Sequence, residues 1–386
     1  MRHRDDLIFS MAEYERRLAL VREALADRSL DAGIFTTPEN IFYLTGHQTP
    51  GYYYFQALVV PVEGEPFMVN RLLEDTNVVA RTWVEHSRCF SDTEDPVTVL
   101  RYALREFGLF EGRLGYEKHS WFFRASEQEQ LLTSARFATF VDCSGLVEEA
   151  RVVKSEEEIA VMRRAAKATE AGIRAGIEAV APGVTENDIA AEIHHAMIKA
   201  GSEYPAISPF VASGWRSAVG HATWEGRRVE PGECVFLEVG GCVSRYHTAM
   251  MRTVFVGEEP PPEVAEAEHL IREAMDVSLD LIAPGVTAGD IDMQNRFILE
   301  RYSHGGTQAT RSGYSIGIAF APDWGEGHIL SIQAGESRYF KENMTFHLIP
   351  WLQVAGVFGM GLSETIRVTA DGCESFFSLD RKLYLR

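Results

Sequence analysis

The chain has 386 residues, with 37 Lys and Arg against 56 Asp and Glu, for a formal net charge of −19. Apolar content of 46% and charged content of 24% are those of a globular protein of two or three domains, which excludes a disordered chain. So acidic a balance argues against nucleic acid or an anionic membrane as partner, since both select basic patches.

The five cysteines form no CxxC pair, and the start, MRHRDDLIF, lacks the apolar run of a secretory signal. Reduced thiols and a cytoplasmic location are expected. The longest uncharged stretch contains Met344 to Leu362, but its His347, Pro350, Gln353 and glycines predict a buried strand–turn–strand, not a membrane span.

In chain order, 11–30 carries apolar residues at helical spacing with Glu and Arg between them, which predicts a surface amphipathic helix. Strand, turn and short helix follow in DAGIFTTPENIFYLTG. A hairpin is predicted around Glu63-Gly64, a helix over 97–109 and a short strand at RLGYE. Alternating strands and helices over 1–145 predict a small α/β domain. Ser155, three residues before Glu158, forms a capping-box signal opening a long helix over 156–178. The domain boundary is therefore placed near 147–153, giving domains 1–150 and 151–386.

An internal repeat organises the second domain. APGVTENDI begins at Ala181 and APGVTAGDI at Ala283. Both read as a helix end, a turn, and a new helix with Thr as N-cap, so two similar α/β halves are predicted. Helix pairs packed on one curved antiparallel sheet would leave a site at the junction of the halves.

Several polar residues fall within strand-like segments. Glu238 sits inside VFLEV, where an unpaired carboxylate is costly and a functional role is favoured. His347 sits in TFHLI, where a satisfied core histidine is an equal competitor. His221 lies in a polar loop and His247 in RYHTAMMRT. Tyr314, Asp323 and Glu326 lie in GYSIGIAFAPDWGE, and Glu364 in GLSETI. Each also has a bland reading: a solvated turn for Asp323 and Glu326, and an Arg partner for Glu364.

These motifs, with the linker helix KSEEEIAVMRRAA and the APGVT repeat, resemble the creatinase/prolidase superfamily of pita-bread enzymes over nearly the whole chain. The resemblance implies an α/β (α+β) chain: a small creatinase-like N-terminal domain, then a pita-bread catalytic domain with a pseudo-two-fold internal repeat. The peptidase members use two Asp, one His and two Glu as metal ligands. Those positions correspond here to Glu238, Ala249, Tyr314, Ile349 and Ser363. A single carboxylate is left, so no dinuclear metal centre and no other cofactor are expected. YHTAMMRT resembles the creatinase segment, and His221 matches its catalytic histidine, although Met251 and Ile349 replace the guanidinium-binding carboxylates.

Within the superfamily, HATW…FLEVGGCVSRYH…RTVFVG (221–257), GYSIGIAFAPDWGE (313–326) and NMTFHLIPWL…GLSETI (343–366) resemble the ectoine hydrolases most closely. That branch implies a small-molecule substrate, a homodimer, and hydrolysis of a C–N bond in a cyclic amidine. A creatinase-like amidinohydrolase and a metal-dependent Xaa-Pro peptidase are the alternatives. The expected catalytic groups are His221, Glu238, His247 and Glu364, with the two histidines as the acid/base pair. Tyr314, Asp323, Glu326 and His347 are expected to bind substrate.

Overall fold

The computed structural model describes residues 1–386 and divides into two compact units, Met1–Arg151 and Val152–Arg386. In the first, Ser10 caps the helix Met11–Asp27, which buries Tyr14, Leu18, Val21 and Leu25 at the spacing of one helical face. A six-stranded sheet follows, built from β1 (Ala32–Phe35), β2 (Gln56–Pro61), β3 (Phe67–Arg71), β4 (His86–Phe90), β5 (Arg113–Tyr116) and β6 (Thr139–Asp142) in the order β4-β3-β2-β1-β5-β6. The predicted hairpin is β2–β3. It turns through Gly64 at φ +104°, a conformation that favours glycine. β4 and β6 lacked a clear periodic signal in the sequence.

The second unit opens with the helix Glu156–Ala179, whose Ser155 and Glu158 form the expected reciprocal cap. The APGVT repeat becomes two equivalent structures. Gly183 and Gly285 turn at φ +87° and +93°, and Thr185 and Thr287 cap the helices Glu186–Lys199 and Ala288–Leu299 through capping boxes with Asp188 and Asp290.

The strands do not form one continuous sheet. β7 (Phe210–Ser213), β8 (Cys234–Val243) and β9 (Tyr246–Phe255) form one sheet with a later edge strand, Tyr384–Leu385. β10 (Gly313–Ser315), β11 (Ser331–Ile332), β12 (Thr345–Leu348), β13 (Trp351–Val354), β14 (Phe358–Gly361), β15 (Glu364–Val368) and β16 (Cys373–Ser375) supply a five-stranded sheet and the separate hairpin β13–β14. Where β9 meets the segment entering β15, hydroxyls take up backbone groups: Met251 N–H donates to Ser363 Oγ at 2.7 Å, and Ala249 N–H to Thr365 Oγ1 at 2.9 Å. Side chains supplement the one backbone bond there, from Ser363 N–H to Met251 O at 3.1 Å, at the seam between the halves, and that seam adjoins the polar cluster.

The alternation of β8 sets the faces. Leu237 and Val239 point to the helix Glu156–Ala179, and a Cβ on Gly176 or Gly172 would lie 3.2 Å or 3.1 Å from them. Glu238 and Gly240 point the other way. No helix is long and apolar enough to cross a membrane, and all five cysteines are free.

Candidate active site

Glu238 lies opposite Met251 on β9 and Phe210 on β7. It is 8% exposed and has no hydrogen-bond or ion-pair partner. Burial first, and the nearby Asp323 charge second, push its carboxyl from the ordinary 4.5 to about 8. Glu238 is thus a desolvated carboxyl with no cation, a position that favours binding one. Asp323 is exposed, and its Oδ1 accepts from Gly325 N–H at 2.9 Å.

Two residues along the same face, a side chain on Gly240 would come within 2.5 Å of the Trp324 ring, so the absent Cβ admits the indole. Trp324 is buried, lies 5.4 Å from the Phe210 ring, and donates Nε1–H to Tyr314 Oη at 2.9 Å. Tyr314 pairs across the sheet with His347, whose Nδ1 is 2.9 Å from the phenol oxygen and whose Nε2 is 2.6 Å from Ser363 Oγ. Burial, with the Arg311 charge added, holds His347 down to about 3, so it is neutral. Burial also raises the Tyr314 phenol well above 10, with the Glu238 charge as the next cause. The Arg311 guanidinium lies 4.6 Å over the Tyr314 ring.

His221 stands at the edge of this cluster. It is exposed, its backbone is left-handed at φ +58°, and its ring lies 5.5 Å from Phe210. A non-glycine residue held in that region marks strain that the surroundings must impose, a feature common at functional sites.

Three expected residues are placed elsewhere. His247 is fully buried: its Nε2 accepts from Ala206 N–H at 3.0 Å, so its Nδ1 must carry the proton donated to Arg245 O, also 3.0 Å away. With burial holding it down to about 3, it has no ring nitrogen left to move a proton. Glu364 is one residue out of phase with Ser363, so it faces the opposite side of β15. There it pairs with buried Arg252 at 2.6 Å and accepts from Ser375 Oγ. Glu326 is also buried, in an ion pair with Lys154 at 2.7 Å. Each of these groups already has its partner within the protein. Trp324 and Arg311, by contrast, belong to the cluster without having been singled out for it, and Ser363 belongs to it although the resemblance named it only as a former metal-ligand position. The signal for Trp324 was the neighbouring pattern Glu238-x-Gly240, which leaves room for a large ring.

The donor set does not fit a dinuclear metal. Tyr314 and Ser363 are occupied in the hydrogen-bond chain, Ala249 and Ile349 offer no side-chain donor, and no three His, Cys, Asp or Glu side chains converge in a way that could hold an ion.

Comparison with known proteins accords with this architecture. Residues 17–153 match the creatinase/prolidase N-terminal domain, and 160–370 match metallopeptidase family M24. A creatinase-like domain ahead of a pita-bread domain defines a class of hydrolases, and the chain belongs to metallopeptidase family M24. It is 31% identical to the ectoine hydrolase of Halomonas elongata over 98% of this chain and 99% of that protein. A putative dipeptidase of Bacillus subtilis is 25% identical over 96% and 99%. Among solved structures, the dipeptidase PepE of Mycobacterium ulcerans superposes with a TM-score of 0.82 at 25% identity, covering 98% of this chain and 99% of that one. A prolidase of Thermococcus sibiricus gives 0.86 at 23% identity, covering 98% and 100%.

Proposed function

We propose that the protein hydrolyses a C–N bond in a small cyclic amidine without a metal, with ring opening of ectoine or 5-hydroxyectoine to an N-acetyl-diaminobutyrate as the favoured reaction. The observation that carries this reading is Glu238: a buried carboxyl lacking any cation, beside the Asp323 charge and the hydrogen-bonded chain Trp324–Tyr314–His347–Ser363. A cyclic amidinium supplies the missing positive charge, and its carbon is electrophilic without a Lewis acid. The full-length similarity to an ectoine hydrolase supports the same substrate class.

In this reading the amidinium settles against Glu238 and displaces its proton. The carboxylate then takes a proton from the water that attacks the amidine carbon, a task suited to a carboxyl held near neutral pH. His221, at the exposed edge of the cluster, delivers a proton to the departing ring nitrogen and is replenished by the second water proton, which leaves the adduct's hydroxyl as the carbonyl forms; the proton on Glu238 then passes to the freed amine, so both water protons end on that nitrogen. Trp324 and Phe210 wall the site and exclude water from the adduct. His247, Glu326 and Glu364 hold the scaffold.

Turnover of ectoine that persists in excess chelator is the expected result. Hydrolysis confined to Xaa-Pro dipeptides and abolished by chelator would return the chain to the peptidase reading.

A further inference from the structure

Four hydrogen bonds run in line behind Glu238. Met251 N–H donates to Ser363 Oγ at 2.7 Å, Ser363 Oγ meets His347 Nε2 at 2.6 Å, His347 Nδ1 meets Tyr314 Oη at 2.9 Å, and Trp324 Nε1–H donates to Tyr314 Oη at 2.9 Å. Both ends of the chain are therefore fixed donors pointing inward.

The proton count between them is determinate. Ser363 and Tyr314 each carry one hydroxyl hydrogen, and neutral His347 carries one N–H. Three hydrogens serve two links, so one is left over, and the histidine tautomer decides where. If Nε2 carries the proton it donates to Ser363, Tyr314 donates to Nδ1, and the spare hydrogen is on Ser363. That side chain is wholly buried, and its hydroxyl has no partner besides Met251 N–H and His347. If Nδ1 carries the proton, Ser363 donates to Nε2, and the spare hydrogen is on Tyr314, which is 8% exposed where Ser363 is sealed and whose oxygen meets the Trp324 indole packed against Gly240, on the face of β8 that carries Glu238. A buried hydroxyl hydrogen with no acceptor is the costlier arrangement.

We propose that His347 is held as the Nδ1–H tautomer and is a positioning residue, turning Tyr314 into an obligate hydrogen-bond donor aimed into the active site beside Glu238. With Trp324 and His347 both donating to the phenol oxygen, its O–H can only give. No proton leaves the chain. Tyr314 donates a hydrogen bond to the oxygen that is adding to the amidine carbon and becomes the product's amide carbonyl, strengthening as charge gathers there. The recipient rests on the proposed amidine chemistry; the tautomer does not.

The test pairs a spectrum with kinetics on the full chain. Long-range nitrogen–proton correlation on protein with nitrogen-15 histidines reads the tautomer directly, with the His347 signals identified by their displacement in Ser363→Ala. The expected pattern is a protonated Nδ1 and a bare Nε2 in the free protein at pH 7. With ectoine, Tyr314→Phe should lower kcat about 100-fold with little change in KM, the scale of a lost oxyanion donor. His347→Asn keeps an N–H near the Nδ1 position and should retain more kcat than His347→Gln, whose amide reaches the Nε2 position. An Nε2–H spectrum, or Gln outperforming Asn, overturns the proposal. A wild type with the Nδ1–H spectrum but no amidine turnover would sink the functional reading and leave the tautomer assignment standing.

Discussion

The Glu238→Gln variant puts the site's electrostatics on a measurable scale. In the fold this carboxyl holds its proton up to about pH 8, whereas in the unfolded chain it loses it near 4.5. A raised carboxyl contributes stability that is complete below the unfolded value and is lost as pH rises towards the folded one. At ~1.4 kcal/mol per unit, the span from 4.5 to about 8 amounts to about 5 kcal/mol of stability withdrawn from the wild type between those pH values. Glutamine has the shape of the protonated acid and no charge to lose. The variant should match the wild type near pH 4.5, exceed it by about 3 kcal/mol at pH 7, and gain nothing further above pH 8–9. Urea unfolding at a series of pH values reads this difference, and groups that titrate alike in both proteins cancel. The same variant should lose at least about 100-fold in turnover, because its amide cannot accept the water's proton. Stability curves that run parallel at all pH values would refute the claim that Glu238 is an uncompensated buried carboxyl.

Other outcomes follow from the same geometry. Substrate binding at pH 7 should release a fraction of a proton as the cation ionises Glu238, which calorimetry in buffers of different ionisation enthalpy will detect; buffer-independent heats would contradict it. His47, His247 and His347 are buried and held to about 4, 3 and 3, so the unfolded chain takes up protons first as pH falls. Between pH 6.5 and 5 the fold should lose ~2 kcal/mol per histidine, and unchanged urea midpoints over that range would argue against it. Arg252→Met strips Glu364 of its buried partner and should destabilise by about 3–5 kcal/mol, whereas a shift under about 1 kcal/mol would mean that the pair is not the anchor it looks to be. Gly240→Ala drives a methyl into the Trp324 ring and should cut turnover through loss of the indole–Tyr314 contact; an unaffected kcat would remove Trp324 from the account.

Much of the architecture was legible because its signals are local. The cap at Ser155 and Glu158, the paired APGVT turns and the Glu63-Gly64 hairpin each arise from residues a few positions apart. Glu238 was legible for a related reason: a carboxylate within VFLEV is conspicuous wherever the strand packs. What sequence could not supply was the phase of strands buried on both faces. Ser363 and Glu364 are both buried, yet only the first meets His347, and a one-residue shift separates site from scaffold. His247 looked equivalent to His221 because its partners are backbone groups, one of them 41 residues away. Glu326 resembled a loop carboxylate until Lys154, 172 residues distant, claimed it. Such pairings depend on tertiary closure, which no spacing rule encodes.

The most direct test of the central claim is ectoine hydrolysis by metal-stripped protein in excess chelator, followed by appearance of the ring-opened N-acetyl-diaminobutyrate. The expected result is turnover equal to that of untreated protein, cut at least about 100-fold by Glu238→Gln. Absence of ring opening until a divalent metal is restored, or undiminished turnover by the Gln variant, would contradict it.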